Sequence, residues 1–298
     1  MKPEAVEFPP SSFDKLRQIV MLLSHNKLDL SIGKRSFKAL QQMVDEPQMV
    51  ASHNIKEVAR RINISPPSLT RLARLLGFTH YNQFRNIFRN QYSDTERFYS
   101  SLARNLVDQD KMNLVQNQAE AVCQNIQSTL RYLTDDAISR SLEIITRERQ
   151  IYVMGLRQSF SLANMFSYGL SMIRPGVQQV ATNGFGLAMS LSQLKRGDGL
   201  VVFGSAPYSR ETTIFMKQIA KLNLPVIAIT DSETSPLAER ATVPLIVPTN
   251  SHYFSNSFVA CTFLCESLLT LAAHKLGQTA VKNLEQREEF IQRINNAF

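Results

Sequence analysis

From Gln150 onward the chain carries four short runs of apolar, largely β-branched residues, IYVMG, GLVVFG, PVIAIT and VPLIVP, most of them followed by a helical pattern. Runs this short, and apolar at successive positions, are expected to be strands buried on both faces. Such strands belong to a parallel sheet covered by helices on each side. The pieces between them, SFSLANMFSYGLSMI, GFGLAMSLSQLK, SRETTIFMKQIAKLN and SPLAERA, alternate with the strands as crossover helices must. A weaker run, VQQVAT, supplies one more strand, and a long apolar helix over residues 255–276 closes the unit. The second half is therefore expected to be a doubly wound α/β domain.

The first half follows a different period. Phe13 to Leu23 and Lys34 to Val44 repeat as helices, with Ser12 as a cap for the first. Residues Asn54 to Phe78, NIKEVARRINISPPSLTRLARLLGF, then read as two short amphipathic helices joined by a tight turn. Ile55, Val58, Ala59 and Ile62 share one face of the first; Leu69, Leu72, Ala73 and Leu76 share one face of the second. Asn63 and Ser65 supply turn chemistry, Ser65 can cap the second helix, Pro66 suits its first turn, and Gly77 ends it. This is the pattern of a helix-turn-helix. The segment YNQFRNIFRNQY adds a helix with Phe84, Ile87 and Phe88 on one stripe.

Charge is unevenly divided between the halves. Residues 1–92 hold 14 basic and 7 acidic side chains, a net of +7, while residues 93–298 hold 19 and 18. A phosphate backbone rewards such a concentration through counterion release. The expected organisation is an all-helical DNA-binding domain over 1–92, a helical linker over 93–134, an effector domain over 135–277 and a charged tail over 278–298. The helices AEAVCQNIQSTLRYL and TDDAISRSLEIITRER are too weakly basic for DNA, and are expected to join the domains or pair between subunits.

No stretch approaches the roughly 20 apolar residues of a membrane span, and the N-terminal MKPEAVEFPPSSFDK lacks an apolar signal core, so a cytoplasmic protein is expected. Cys123, Cys261 and Cys265 suit a reducing compartment; Cys261 and Cys265, four apart in an apolar helical run, are expected to be small core residues, and the five histidines are scattered. Neither a metal site nor a cofactor is expected.

Ligands of open α/β sheets bind beyond the carboxyl ends of the strands, where helix N-termini offer amides. Two loops fit: Gly155-Leu156-Arg157-Gln158-Ser159 and Gly204 to Thr212, sequence GSAPYSRET. Arg157, Ser159, Ser205, Ser209 and Arg210 are the candidate effector-binding residues, an arrangement suited to a small anionic metabolite. Ser159 and Ser209 serve equally well as plain helix caps, and the arginines as ion-pair partners. Glu211 and His252 are the nearest candidates for acid–base work.

Across nearly its whole length the chain resembles the RpiR-type bacterial transcription regulators, which join an N-terminal helix-turn-helix to a C-terminal sugar isomerase (SIS) domain. The resemblance rests on IKEVARRINISPPSLTRLARLLGF followed by YNQFR, and on the order GLRQS, GSAPYSRET and AITDSETSPLAERATVPLIVP. It implies binding to double-stranded operator DNA as a homodimer or homotetramer, and a phosphosugar effector. Ser159 matches the family's serine after a Gly-rich turn, with Arg157 where a second glycine is common. In the later loop Gly204, Ala206 and Pro207 replace Ser, Ser and Gly, and only Ser209 matches, at the Thr position. A sugar-phosphate isomerase with a helical appendage, and a ligand-independent DNA-binding protein, are the alternatives.

With the apolar residues of the second helix committed to the core, Ser68, Thr70, Arg71 and Arg74 are expected to face DNA. Arg71 is the best candidate for reading guanine. Lys56, Arg60 and Arg61, with Arg85 and Arg89 beyond, are placed for phosphates, which position without specifying.

Overall fold

The computed structural model describes residues 7–24, 27–107, 109–180 and 186–295. Ala181 and Thr182 of the VQQVAT run, and Gly184 and Phe185 of the helical piece after it, lie outside these. The chain divides into two compact units, 1–101 and 102–298.

The first unit is helical: α1 (Phe13–Ser24), α2 (Lys34–Asp45), α3 (Pro47–Ser52), α4 (Ile55–Arg61), α5 (Pro66–Leu75) and the start of α6 (Tyr81–Arg104). Its core gathers Leu16, Leu40, Met43, Val58, Leu69, Leu72, Leu76, Phe84 and Phe88, all buried. The rings of Phe84 and Phe88 meet edge to face at 5.0 Å, and Phe13 meets Phe88 in the same way at 5.4 Å. Burial pushes the Tyr81 hydroxyl up to about 12. The short α3 gave no sequence signal, and α6 continues through the polar stretch expected to be linker.

The second unit opens with α7 (Lys111–Tyr132) and α8 (Asp135–Arg147), capped by Asp110 and Thr134. It continues through β1 (Gln150–Gly155), α9 (Ser159–Ile173), β2 (Val177–Gln179), α10 (Gly186–Gln193), β3 (Asp198–Gly204), α11 (Arg210–Ile219), β4 (Val226–Thr230), β5 (Val243–Ile246), α12 (Val259–Leu276) and α13 (Gln278–Asn295). All strand pairs are parallel, in the order β2-β1-β3-β4-β5. The order reverses between β1 and β3, which makes their carboxyl edge the topological switch point. SPLAERA forms a single 3-10 turn, Ala238–Arg240, and the Ser235 hydroxyl accepts from the Ala238 amide at 2.9 Å.

One face of the sheet carries α8, α9 and α12 around Phe166, Phe203 and Leu264; the other carries α11 around Phe215, Met216 and Ile219. Both α7 and α8 pack against α12, which places these two helices within the second unit. Contrary to the sequence expectation, α12 is long and apolar enough to cross a membrane, the one such helix among the described residues. It packs against α7, α8 and α9 and buries Ala260, Cys261, Leu264, Cys265, Leu268 and Ala272, as a core helix does. Cys261 and Cys265 are therefore core residues, as expected, and Cys123 is exposed.

Gly155 at the end of β1 lets α9 start directly against the strand. A Cβ there would sit 2.2 Å from the Ser159 carbonyl oxygen, a backbone atom with nowhere to go.

Candidate functional site

In the first unit, α4 and α5 form the helix-turn-helix. Asn54 and Glu57 make a reciprocal capping box on α4: the Asn54 side chain accepts from the Glu57 amide at 3.1 Å, and the Glu57 carboxylate accepts from the Asn54 amide at 3.3 Å. The turn passes through Asn63 at φ 55°, a left-handed conformation that asparagine tolerates better than most residues. Arg35 donates to the Asn63 carbonyl at 2.7 Å and ties the turn to α2. Ser65 caps α5 by accepting from the Ser68 amide at 3.3 Å.

Arg71 and Arg74 on α5 are exposed, as are Lys56, Arg60 and Arg61 on α4. Ser68 and Thr70 are half-buried and engaged locally. The Ser68 hydroxyl lies 2.8 Å from that of Ser65, and Thr70 donates to the Pro66 carbonyl at 3.3 Å. Arg85, read from sequence as a phosphate contact, instead donates to the carbonyls of Val50 and Ala51 at 3.2 and 3.0 Å, satisfying the end of α3. Arg89 remains exposed.

In the second unit, a cleft opens beyond the carboxyl ends of β3, β4 and β5. It is narrow, about 10 Å3, room for little more than one water molecule. Leu162, Phe203, Ile229, Val247, Phe258 and Cys261 form its apolar floor, and Ser159, Ser205, Thr230, Asp231 and Thr249 supply its polar groups. Of the five candidate effector residues, Ser159 and Ser205 therefore border the cleft. Ser209 is buried and caps α11 by accepting from the Thr212 amide at 3.0 Å. Arg157 and Arg210 are exposed and do not line the cleft, and neither do Glu211 or His252, both also exposed.

Arg157 has φ 53°, in the left-handed region that favours glycine. That conformation costs a residue with a Cβ about 1–2 kcal/mol, and such costs concentrate at functional sites.

Four loops converge on the cleft through hydrogen bonds that the sequence did not reveal. Asp231, after β4, accepts from the Ala206 amide at 3.1 Å, the Tyr208 hydroxyl at 2.6 Å and the Thr230 hydroxyl at 3.2 Å. Burial pushes the Asp231 carboxyl above the usual aspartate range, while these hydrogen bonds pull it back. Asn256, on the loop between β5 and α12, donates to the Ser205 hydroxyl at 3.1 Å and to the Ala206 carbonyl at 2.6 Å. Ser255 donates to Gln158 at 2.7 Å, joining the same loop to the one after β1. The loop also reaches α7: the His252 amide donates to Gln118 at 2.8 Å, and Asn125 donates to the Asn250 carbonyl at 2.7 Å. The arrangement gathers hydroxyl and carboxylate groups around a narrow, apolar opening.

Residues 144–271 match the SIS domain family. Over 72% of this chain, and 75% of its own length, an HTH-type transcriptional regulator of Haemophilus influenzae is 23% identical. The HTH-type transcriptional regulator RpiR of Escherichia coli K12 is 26% identical over 63% of this chain, which spans 62% of that protein. The chain is a SIS-domain protein related to the RpiR-type helix-turn-helix regulators. Its fold also matches that of the Vibrio vulnificus NanR protein, solved in complex with ManNAc-6P, with a TM-score of 0.56 and 17% identity over 94% of this chain and 99% of that one. The match takes in the helical unit as well as the SIS domain. The cleft bordered by Ser159 and Ser205 thus belongs to the SIS domain, at the carboxyl edge of its sheet.

Proposed function

We propose that this chain is a DNA-binding transcriptional regulator whose operator affinity is controlled by a small anionic metabolite, a phosphosugar, bound at the SIS cleft. The observation that carries the reading is the helix-turn-helix of α4 and α5, with Arg71 and Arg74 exposed on its second helix, in a chain related to HTH-type transcriptional regulators. Arg71 and Arg74 read base edges in the major groove, Ser68 and Thr70 lie beside them on the N-terminal side, and Lys56, Arg60 and Arg61 hold the phosphate backbone. Homodimers or homotetramers place two such helices on one operator, inside the cell where that DNA resides.

The effector half of the reading draws support from NanR, of the same fold, with its ManNAc-6P. It also draws support from the strained Arg157, a cationic side chain held where glycine would cost less. A ligand shifts DNA affinity only by binding one arrangement of the protein better than another. The 249–257 loop is suited to pass that preference on. It borders the cleft at Thr249, bonds Ser205 through Asn256, and bonds α7 through Gln118 and Asn125.

A gel shift of the full-length protein on the DNA upstream of its own gene, against unrelated DNA of equal length, tests the first half. Specific retardation that weakens with salt is expected, and equal affinity for both DNAs would reject the assignment. A thermal-shift screen of phosphosugars tests the second, with a raised melting temperature expected for at least one. Turnover of a phosphosugar without specific DNA binding would mark an isomerase instead.

A further inference from the structure

Helix α2 carries Lys34, Arg35 and Lys38 in its first two turns, all three exposed. Lys38 lies four residues from Lys34 and three from Arg35, so they share one outward face, while Ala39, Leu40, Met43 and Val44 turn into the core. Acidic side chains come only at the far end, with Asp45 closing the helix and Glu46 at its C-cap. This order runs against the helix macrodipole, which favours acids in the first turn and cations in the last. The cations therefore do not serve the stability of α2 itself. Among the described residues, no carboxylate pairs with Lys34, Arg35 or Lys38.

Arg35 sets this face beside the helix-turn-helix. Its guanidinium donates to the Asn63 carbonyl at 2.7 Å, in the turn two residues before the Ser65 cap of α5. That end of a recognition helix is the one that meets base edges, with the phosphates of the groove wall beside it. A guanidinium has five donors, so the bond to Asn63 leaves most of the fork open. Arg60 and Arg61, in the last turn of α4, stand within three residues of Asn63 along the chain, so cations from two helices gather at this turn.

We propose that Lys34, Arg35 and Lys38 form a second phosphate-contacting face, holding the backbone of duplex DNA beside the groove that α5 reads. The proposal rests on the reading of the first unit as DNA-binding, and adds α2 to the contacts made by Lys56, Arg60 and Arg61. A polyanion supplies the counter-charge that the protein withholds from these three side chains. Such contacts add affinity and fix register without choosing sequence.

The test is fluorescence anisotropy of the full-length protein, across about 50–200 mM salt, on the DNA upstream of its own gene and on unrelated DNA of equal length. With Lys34→Gln and Lys38→Gln combined, the slope of log affinity against log salt is expected to flatten by about 0.9 for each lysine. Affinity for both DNAs should fall by the same factor, with the melting temperature unchanged or higher. Arg35→Gln should flatten the slope by a similar step, and Arg35→Lys, which keeps the charge, should restore it. A merely structural role would leave the slope where it was. If the double variant does not fold, Lys38→Gln alone decides. An unchanged slope overturns the proposal while leaving the regulator reading intact. A loss confined to the upstream DNA also overturns it, because phosphates carry no sequence. Unaltered protein that binds neither DNA overturns the regulator reading and this proposal together.

Discussion

The helix-turn-helix and the SIS cleft are built by opposite routes. In the first, function sits on one short helix, where a 3.6-residue period separates the side chains that pack from those that do not: Leu69, Leu72 and Ala73 are buried, Arg71 and Arg74 exposed. In the second, no element carries the site. Ser159, Ser205, Asp231 and Thr249 come from four loops that only the strand order brings together, and Gln158 and Asn256 fasten those loops to one another. Their charge differs as well. The helical unit displays cations outward, whereas the cleft encloses a carboxylate and keeps its neighbouring arginines outside. A surface that meets a polyanion needs only exposure and spacing; a cleft that selects a small molecule needs loops held in register.

That difference can be broken from either side. The largest effect is expected from Gly155→Ala. Its Cβ would strike the Ser159 backbone at 2.2 Å, so α9 must move off β1. Overpacking of this kind costs about 1–3 kcal/mol and occasionally more. Chemical denaturation should show the SIS unit melting early, with the transition of the helical unit in place. A smaller loss, about 1 kcal/mol, is expected from Ser65→Ala, which removes the cap of α5 and leaves the cleft untouched. Weakened DNA binding with unchanged ligand binding would mark the cap as local to the helix-turn-helix. The smallest change in stability belongs to Arg157→Gly. Relief of the left-handed strain of about 1–2 kcal/mol is offset by roughly 0.5–1 kcal/mol of added chain entropy. Thermal unfolding should therefore move little while phosphosugar affinity falls; an unchanged affinity would remove Arg157 from the effector site.

The two regions were also unequally legible in sequence. Apolar spacing located α4 and α5, and the turn residues Asn63, Ser65 and Gly77 carried visible reasons for their positions. The period could not show that Ser68 and Thr70 would bond within their own helical turn, or that Arg85 would be drawn to the carbonyls of α3. In the α/β half, the apolar runs gave the strands and the loops after β1 and β3 because each signal is local. Asp231, Tyr208 and Asn256 escaped because their partners lie far along the chain, as the Asn256 bond to Ser205 illustrates. One usable signal was present. If the loops after β1 and β3 share a sheet edge, the loops after β4 and β5 share it too, and Thr-Asp directly after PVIAI places a carboxylate there.

The central claim, that α5 reads DNA while the SIS cleft reads a metabolite, is tested most directly by replacing Arg71 and Arg74 together with Ala and titrating the full-length protein on its own upstream DNA by fluorescence anisotropy. Loss of about 1–3 kcal/mol of specific affinity for each base-reading arginine is expected, with the thermal shift produced by a phosphosugar preserved. Specific affinity equal to that of the unaltered protein would contradict the account.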